Sequence, residues 1–224
     1  MTGQELTVVI PCKNEGLGLA VCLHFLNIFG GLQGVRVIIA DCSTDDTRAI
    51  VTRSTYSQLR LEWIDGGLPA AARARAAKLV ETPYVLFLDA DVLVQHPITV
   101  VYGADLTTRR FICNDGYAWV YSIFDVVQRI SRYVSPFALG GYMLFRTDAY
   151  FALGGFDPRD RFAEDYHLSM KVARSRFAIE SATVLTSGRR FRQKGIWYMA
   201  RMMMKSWWHR HDDTFFQQDH NYWA

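Results

Sequence analysis

Cysteine is scarce, with four thiols in 224 residues (Cys12, Cys22, Cys42 and Cys113). None forms a C-x-x-C pair or shows metal-ligand spacing. Four are also too few for a disulfide framework in a chain this large, so they are expected as reduced thiols in a cytosolic compartment. Long apolar runs are missing as well. None approaches the ~18–20 residues that cross a bilayer, so an integral membrane protein is not expected. The start, Met1-Thr2-Gly3-Gln4-Glu5, has no basic-then-apolar leader before the first strand. Charge of one sign is not in excess either. Lys+Arg number 25 against 22 Asp+Glu, a formal charge of +3, which gives no polyanion signal and predicts no nucleic-acid partner. Half the residues are hydrophobic and 21% are charged, which excludes disorder, collagen and low-complexity arrays. The length suits one domain with at most a modest extension, and neither a repeat nor a linker interrupts it.

The first half alternates strand and helix patterns. Leu6–Ile10 is β-rich and stops at Pro11. A helical stretch runs from Gly16 to Phe29 and ends at Gly30-Gly31. Val35–Ala40 is the next strand, and Ser43 or Thr44 can cap a helix through Arg53. Leu59–Trp63 alternates as a half-exposed strand does. Ala70–Val80 is a helix behind Pro69, and Tyr84–Leu88 is the continuous apolar run of a buried parallel strand. Strands joined by helical crossovers predict a parallel sheet covered on both faces, with ligands beyond the carboxyl ends of its strands.

The second half is less regular. Residues 97–109 and 117–134 read as helical, with Phe111–Cys113 short between them. Tyr142–Phe145 reads as a strand and Gly154-Gly155-Phe156-Asp157-Pro158 as a turn. A helix is expected from Glu164 to Arg174, strands at Phe177–Ile179 and Thr183–Thr186, and a helical tail over 193–209.

Polar clusters sit at three predicted strand ends: Pro11-Cys12-Lys13-Asn14-Glu15, Asp41-Cys42-Ser43-Thr44-Asp45-Asp46 and Asp89-Ala90-Asp91. Two carboxylates one residue apart suit a hard divalent cation such as Mg²⁺ or Mn²⁺, which prefers oxygen ligands; solvated loop acids are the plainer reading. Asp41 suits hydrogen bonds from a nucleobase or ribose. Glu164-Asp165 at a helix start either complements the helix dipole or supplies a general base beside a bound acceptor. Gly154-Gly155 just upstream permits close approach of backbone to ligand. Arg189-Arg190-Phe191-Arg192 is either a solvated basic turn or a diphosphate clamp, since guanidinium matches phosphate geometry. Gly16-Leu17-Gly18 begins like a dinucleotide fingerprint, but Val21 stands at its third glycine, which argues against a nicotinamide enzyme. His209, His211 and His220 with Asp212, Asp213 and Asp219 read as scattered polar tail residues rather than metal ligands. Tyr117, Trp119, Tyr121 and Phe124 read as core rather than sugar platforms. The Trp/Met/Arg-rich stretch Ile196–Arg210 suits an interfacial helix. Packing on its own domain, or pairing with a second subunit in a homodimer, is the preferred reading.

Taken in order, these segments resemble family 2 glycosyltransferases with the GT-A fold over residues 6 to 200. Val8-Val9-Ile10-Pro11-Cys12-Lys13-Asn14-Glu15 is similar to that family's P-x-x-N-E loop. Ala40–Thr47 is similar to its D-D-G-S-x-D-x-T element, with Ala40 and Cys42 in place of an acid and the glycine. Gly67–Arg73 resembles G-x-x-x-A-A-R, Asp89-Ala90-Asp91 the D-x-D metal motif, and Gly154-Gly155-Phe156-Asp157 with Glu164-Asp165 the acceptor-side pattern. The resemblance implies an α/β GT-A fold with a mostly parallel central sheet and helices on both faces. It implies a single domain over 1–224: a nucleotide-sugar half (about 1–95), an acceptor-side half (about 96–192) and a helical tail (about 193–224).

It further implies metal-dependent, inverting transfer of one sugar from a nucleotide-diphosphate sugar, UDP-linked before GDP-linked, to an acceptor hydroxyl. Pro11, Glu15, Asp41, Arg73, Asp89, Ala90, Arg189 and Arg190 would bind the nucleotide sugar. Asp91 would hold Mg²⁺ or Mn²⁺, Asp165 would be the catalytic base, and Gly155 and Glu164 would face the acceptor. Gln193-Lys194-Gly195-Ile196-Trp197 does not match the Q-x-x-R-W signature of processive synthases. The acceptor stays open between a lipid-linked and a soluble glycan, and the expected place is the cytoplasm or the inner face of the membrane. Two rivals remain. A nucleotidyltransferase would release pyrophosphate and usually carries a Gly-rich basic loop that Cys12–Glu15 does not resemble. A non-catalytic nucleotide-sugar or glycan-binding module is separated from an enzyme only by turnover.

Overall fold

The computed structural model describes residues 1–220; the last four residues of the expected tail lie outside the described residues. In chain order its elements are β1 (Leu6–Cys12), α1 (Gly16–Phe29), β2 (Val35–Asp41), α2 (Thr47–Thr52), β3 (Leu59–Asp65), α3 (Pro69–Ala77), β4 (Tyr84–Leu88) and β5 (Leu93–Val94). There follow β6 (Leu106–Cys113), α4 (Ala118–Val134), β7 (Tyr142–Arg146), α5 (Thr147–Ala152), α6 (Glu164–Ser169), β8 (Phe177–Thr186), α7 (Arg189–Lys194), α8 (Ile196–Trp208) and α9 (Asp213–Gln217). One sheet of eight strands takes the order β3-β2-β1-β4-β7-β6-β8-β5.

The first four strands are mutually parallel, as the alternating pattern predicts. Their side chains divide between two faces because successive residues of a strand point opposite ways. Val8, Ile10, Val37, Ile39, Leu86 and Leu88 pack under α1 through Leu19, Cys22, Leu23 and Leu26. Val9, Ile38, Val85 and Phe87 pack on the other face against Ala76 and Ala77 of α3 and against Tyr150, Phe156 and Leu168. β7 then enters antiparallel to β4, with Leu86 opposite Leu144, and joins the parallel half to the rest of the sheet.

Several expectations need correction. β1 continues through Pro11, which pairs with Ala40. Its ladder with β4 ends at Val9, so no partner on that side needs the missing N–H. Neither Ser43 nor Thr44 caps α2; Asp45 Oδ1 accepts from the Thr47 amide (3.0 Å) and hydroxyl. Residues 97–109 are not helical, and β6 begins inside that stretch. Its polar residues form a strand because they are buried, Arg109 fully. That guanidinium pairs with Glu180 (2.7 Å) and donates to the carbonyl of His96 (2.9 Å). The helix expected to reach Arg174 ends at Ser169, and the two expected late strands are one, β8, with an irregularity in its register against Arg109/Arg110. The tail is helical but breaks at Gly195, whose φ of +83° only glycine adopts freely.

The cysteines are free thiols, three of them buried. The polar tail residues serve the fold: His209 stacks on Phe215, and Asp212 caps α9 by accepting from the Thr214 amide (3.1 Å). Asp213 reaches Nε2 of buried His167 (3.2 Å). Tyr117, Tyr121 and Phe124 close around the ring of Phe191, whereas Trp119 is exposed. No helix among the described residues is long and apolar enough to cross a membrane.

Candidate active site

The carboxyl ends of the parallel strands carry a row of acids. Asp41 ends β2, Asp65 ends β3 in register with it, and Asp89 follows β4 directly. Cys12, the last residue of β1, lies opposite Asp41. The loops after β1 and β2 brace one another. The Asn14 amide donates to Ser43 Oγ (2.8 Å), the Thr44 amide donates to Asn14 Oδ1 (2.9 Å), and the Ser43 amide donates to Asp41 Oδ1 (2.9 Å). Asn14 adopts a left-handed φ of 54°, which Asn tolerates better than most residues. The result is a fixed shelf of Pro11, Asn14, Asp41 and Ser43. Beside it the Cys12 thiol, desolvated and facing Asp41, is pushed up to about 12 and stays neutral at physiological pH.

Arg73 ties the two halves of the site together. It is buried on α3 and donates to Glu164 at the start of α6 and to Asp89 Oδ1 (2.5 Å), while its guanidinium lies 5.4 Å over the Phe156 ring. The neighbouring Asp165 is partly buried. It accepts from the Gly140 amide (2.6 Å) and from its own helix at the Tyr166 amide (2.8 Å). Desolvation raises both Glu164 and Asp165 above the ordinary carboxylate range, and Arg73 pulls against it. The Gly140-Gly141 strap passes close to both groups. A Cβ at Gly140 would sit 3.1 Å from an Arg73 nitrogen and 3.2 Å from Asp165 Oδ2. Gly155 is buried, with φ +65° and the Tyr150 ring 2.8 Å from where its Cβ would be. It thereby carries Phe156 beneath Arg73.

Asp91 lies at the other side of the row. Ser187 reaches its Oδ2 (3.4 Å), and Arg189 at the start of α7 lies 3.5 Å from the same oxygen while pairing with Glu15 Oε1 at 2.5 Å. Desolvation raises Asp91, the charges of Asp89 and Glu15 raise it further, and Arg189 and Arg190 oppose them. Ala90 is buried between the two acids. Asp115, which the sequence reading passed over, fixes the start of α7 by accepting from the Gly188 amide (2.7 Å) and from Arg192 (2.9 Å). Asn14 and Ser43 stand in the strand-end clusters of the sequence but had no site role there, and Asp65 was passed over. The recurrence of an Asp at successive strand ends was the available signal for Asp65.

This donor set fits a divalent cation held largely by substrate. Among the described residues no three His, Cys, Asp or Glu side chains form a cage. Asp91 is nevertheless crowded by two acids, and an arginine sits among them as a stand-in cation. One or two carboxylates completed by phosphate oxygens is the usual arrangement for Mg²⁺ or Mn²⁺.

Residues 7–100 match the model for Glycosyl transferase family 2. Comparison with curated protein sequences returns no match. Among solved structures, the mannosyltransferase PcManGT from Pyrobaculum calidifontis, in complex with GDP-Man and Mn²⁺, superposes with a TM-score of 0.64 at 18% identity. That alignment covers 89% of this chain and 64% of the other. TarS 1-349 of S. aureus, in complex with UDP-GlcNAc, gives 0.63 at 22% identity, covering 83% and 59%. GalNAc-T7 with UDP, GalNAc and Mn²⁺ gives 0.56 at 13% identity, covering 82% and 44%. The chain thus spans less than two thirds of the length of these structures. Its fold is the GT-A fold of glycosyltransferases.

Proposed function

We propose that this protein transfers one sugar from a nucleoside-diphosphate sugar to an acceptor hydroxyl, with inversion at the anomeric carbon. The observation that carries the reading is the bridge of Arg73 between Asp89 and Glu164. It joins the edge suited to a donor to the helix that offers a base. Pro11, Glu15 and Asp41 would line the nucleoside, and Asp89 and Ala90 the ribose. Arg189 and Arg190 would turn to the diphosphate, where a guanidinium matches the charge that develops on the leaving group. Asp91 would hold Mg²⁺ or Mn²⁺, which when bound neutralises charge on the diphosphate. Asp165 takes the acceptor's proton as its oxygen bonds to the anomeric carbon, a role for which a raised carboxyl is suited. Arg73 holds Asp89 and Glu164 in place and keeps positive charge beside both.

The relatives in complex with GDP-Man and UDP-GlcNAc support a nucleotide-sugar donor, and those with Mn²⁺ support a divalent metal. Between nucleobases we favour uracil and retain guanine. We read the chain as a single domain whose donor half is about 1–95, whose acceptor half is about 96–192, and whose remainder is a tail. It would work in the cytoplasm on a lipid-linked or soluble glycan acceptor.

A thermal-shift panel of UDP-, GDP- and dTDP-sugars, with and without Mn²⁺, tests the donor. A ligand at 100 times its Kd stabilises the native state by ~2.7 kcal/mol. One nucleobase should give a shift that depends on Mn²⁺ and is lost in Asp91→Asn. No shift with any donor would overturn the donor assignment.

A further inference from the structure

Helix α4 carries an apolar stripe that the described residues leave uncovered. Trp119, Ile123, Val126, Val127, Ile130, Tyr133 and Val134 recur at helical spacing, and each is between 41% and 67% exposed. The opposite side of the same helix is seated. Val120 packs with Phe191 of α7 and Met199 of α8, and Gln128 is buried. An amphipathic surface helix normally turns its apolar stripe to the core; this one has apolar residues on both sides. The adjoining α8 repeats the feature. It buries Met199 and Met202 and exposes Trp197 (88%), Met204, Trp207 and Trp208 (76%). So large an exposed apolar surface marks an interaction site.

Charge says what covers it. From Lys194 to Arg210 the sequence holds four Arg or Lys (Lys194, Arg201, Lys205, Arg210) and no Asp or Glu. α4 adds Arg129 and Arg132 against one acid, Asp125, which is already paired with Arg110 and Arg129. A second copy is disfavoured, because a two-fold dimer through this face would oppose the same cationic segment to itself. An anionic bilayer suits both properties. Trp and Tyr settle at the headgroup level, and each basic side chain gains from the negative surface potential.

We propose that α4 and α8 form a docking face that seats this protein peripherally on an anionic lipid surface. This goes beyond the transfer reaction and does not depend on it. α7 links the face to the acid row: its first residue, Arg189, meets Glu15 and Asp91, and its last precedes α8 by one residue. The acids therefore lie one short helix from the lipid contact.

The test is flotation of the intact protein with phosphatidylcholine vesicles, with and without phosphatidylglycerol. Binding should require phosphatidylglycerol, weaken at high salt, and bring tryptophan fluorescence within reach of brominated lipid. Ile123→Ser/Ile130→Ser should lower the partition coefficient at least ~10-fold. Arg132→Ala/Arg201→Ala should lower it about tenfold on anionic vesicles alone. All four residues are exposed, so both variants should keep the wild-type melting temperature and the donor-induced shift. That shift is read separately, so a failed donor assignment does not disguise itself as failed docking. Three results would overturn the proposal: no binding to either vesicle, binding unchanged in both variants, or a solution dimer that Ile123→Ser/Ile130→Ser dissociates.

Discussion

Asp165 offers both oxygens to backbone amides, from Gly140 and Tyr166, yet is only partly buried. Amide hydrogen bonds fix its orientation without sharing its proton, and the residue keeps part of its surface exposed. Asp165→Asn should keep the donor-induced melting shift and lose ~10²–10⁴ in turnover, the range for a positioned base. Wild-type turnover in that variant would remove the base assignment. The direction of the shift also fixes a pH dependence. Asp165 must be ionised to act, and its carboxyl is raised, so the acid limb of kcat/KM should lie above the ~4 of an ordinary carboxylate. Stability should move the opposite way. Glu164 and Asp165 hold protons more tightly folded than unfolded, so their contribution is greatest below the unfolded value and is lost as pH rises through the folded one. A pH–rate profile beside a pH–melting profile checks both signs. At this scale the sequence shows which acids exist and that two fall at strand ends. It does not show the partners: that Glu164 pairs with Arg73 depends on residues 91 positions apart.

Elements were legible where one period dominated. The continuous apolar run of β4 and the alternation in β3 identify themselves, and Pro69 does begin α3. β6 fails the same test because Thr107, Thr108 and Arg109 are polar yet buried. Their partners, such as the Tyr142 carbonyl that accepts from Thr108 (2.9 Å), come from elsewhere in the chain. The same strand end supplies Asp115, which holds α7 at Gly188 and Arg192. α7 has only six residues and needs such an anchor to present Arg189 to the acids. Asp115→Ala should therefore raise KM for the donor several-fold and leave kcat and the pH profile near wild type, as steady-state kinetics at varied donor would show. An unchanged KM would mean that α7 is positioned by its Phe191 packing alone.

Across the whole molecule, Arg73 crosses from the parallel half to the helix that follows β7. Its guanidinium is buried against one buried carboxylate, Glu164, and one partly exposed carboxylate, Asp89. Breaking a buried pair by removing one partner leaves an uncompensated charge and costs about 3–5 kcal/mol. At ~2–4 °C per kcal/mol for a domain of this size, Arg73→Met should lower Tm by roughly 10 °C. Removing the stranded acid as well should recover part of that, because apolar side chains of similar volume often replace a buried pair at little cost. Arg73→Met/Glu164→Met is therefore expected to be more stable than Arg73→Met. It should still be inactive, since Asp89 has lost the group that held it and the site has lost a positive charge. A stability gain without a gain in turnover, measured by melting and by donor consumption, would separate what Arg73 does for the fold from what it does for the site. A double variant no more stable than the single one would mean that Asp89, not Glu164, is the partner whose loss the fold feels.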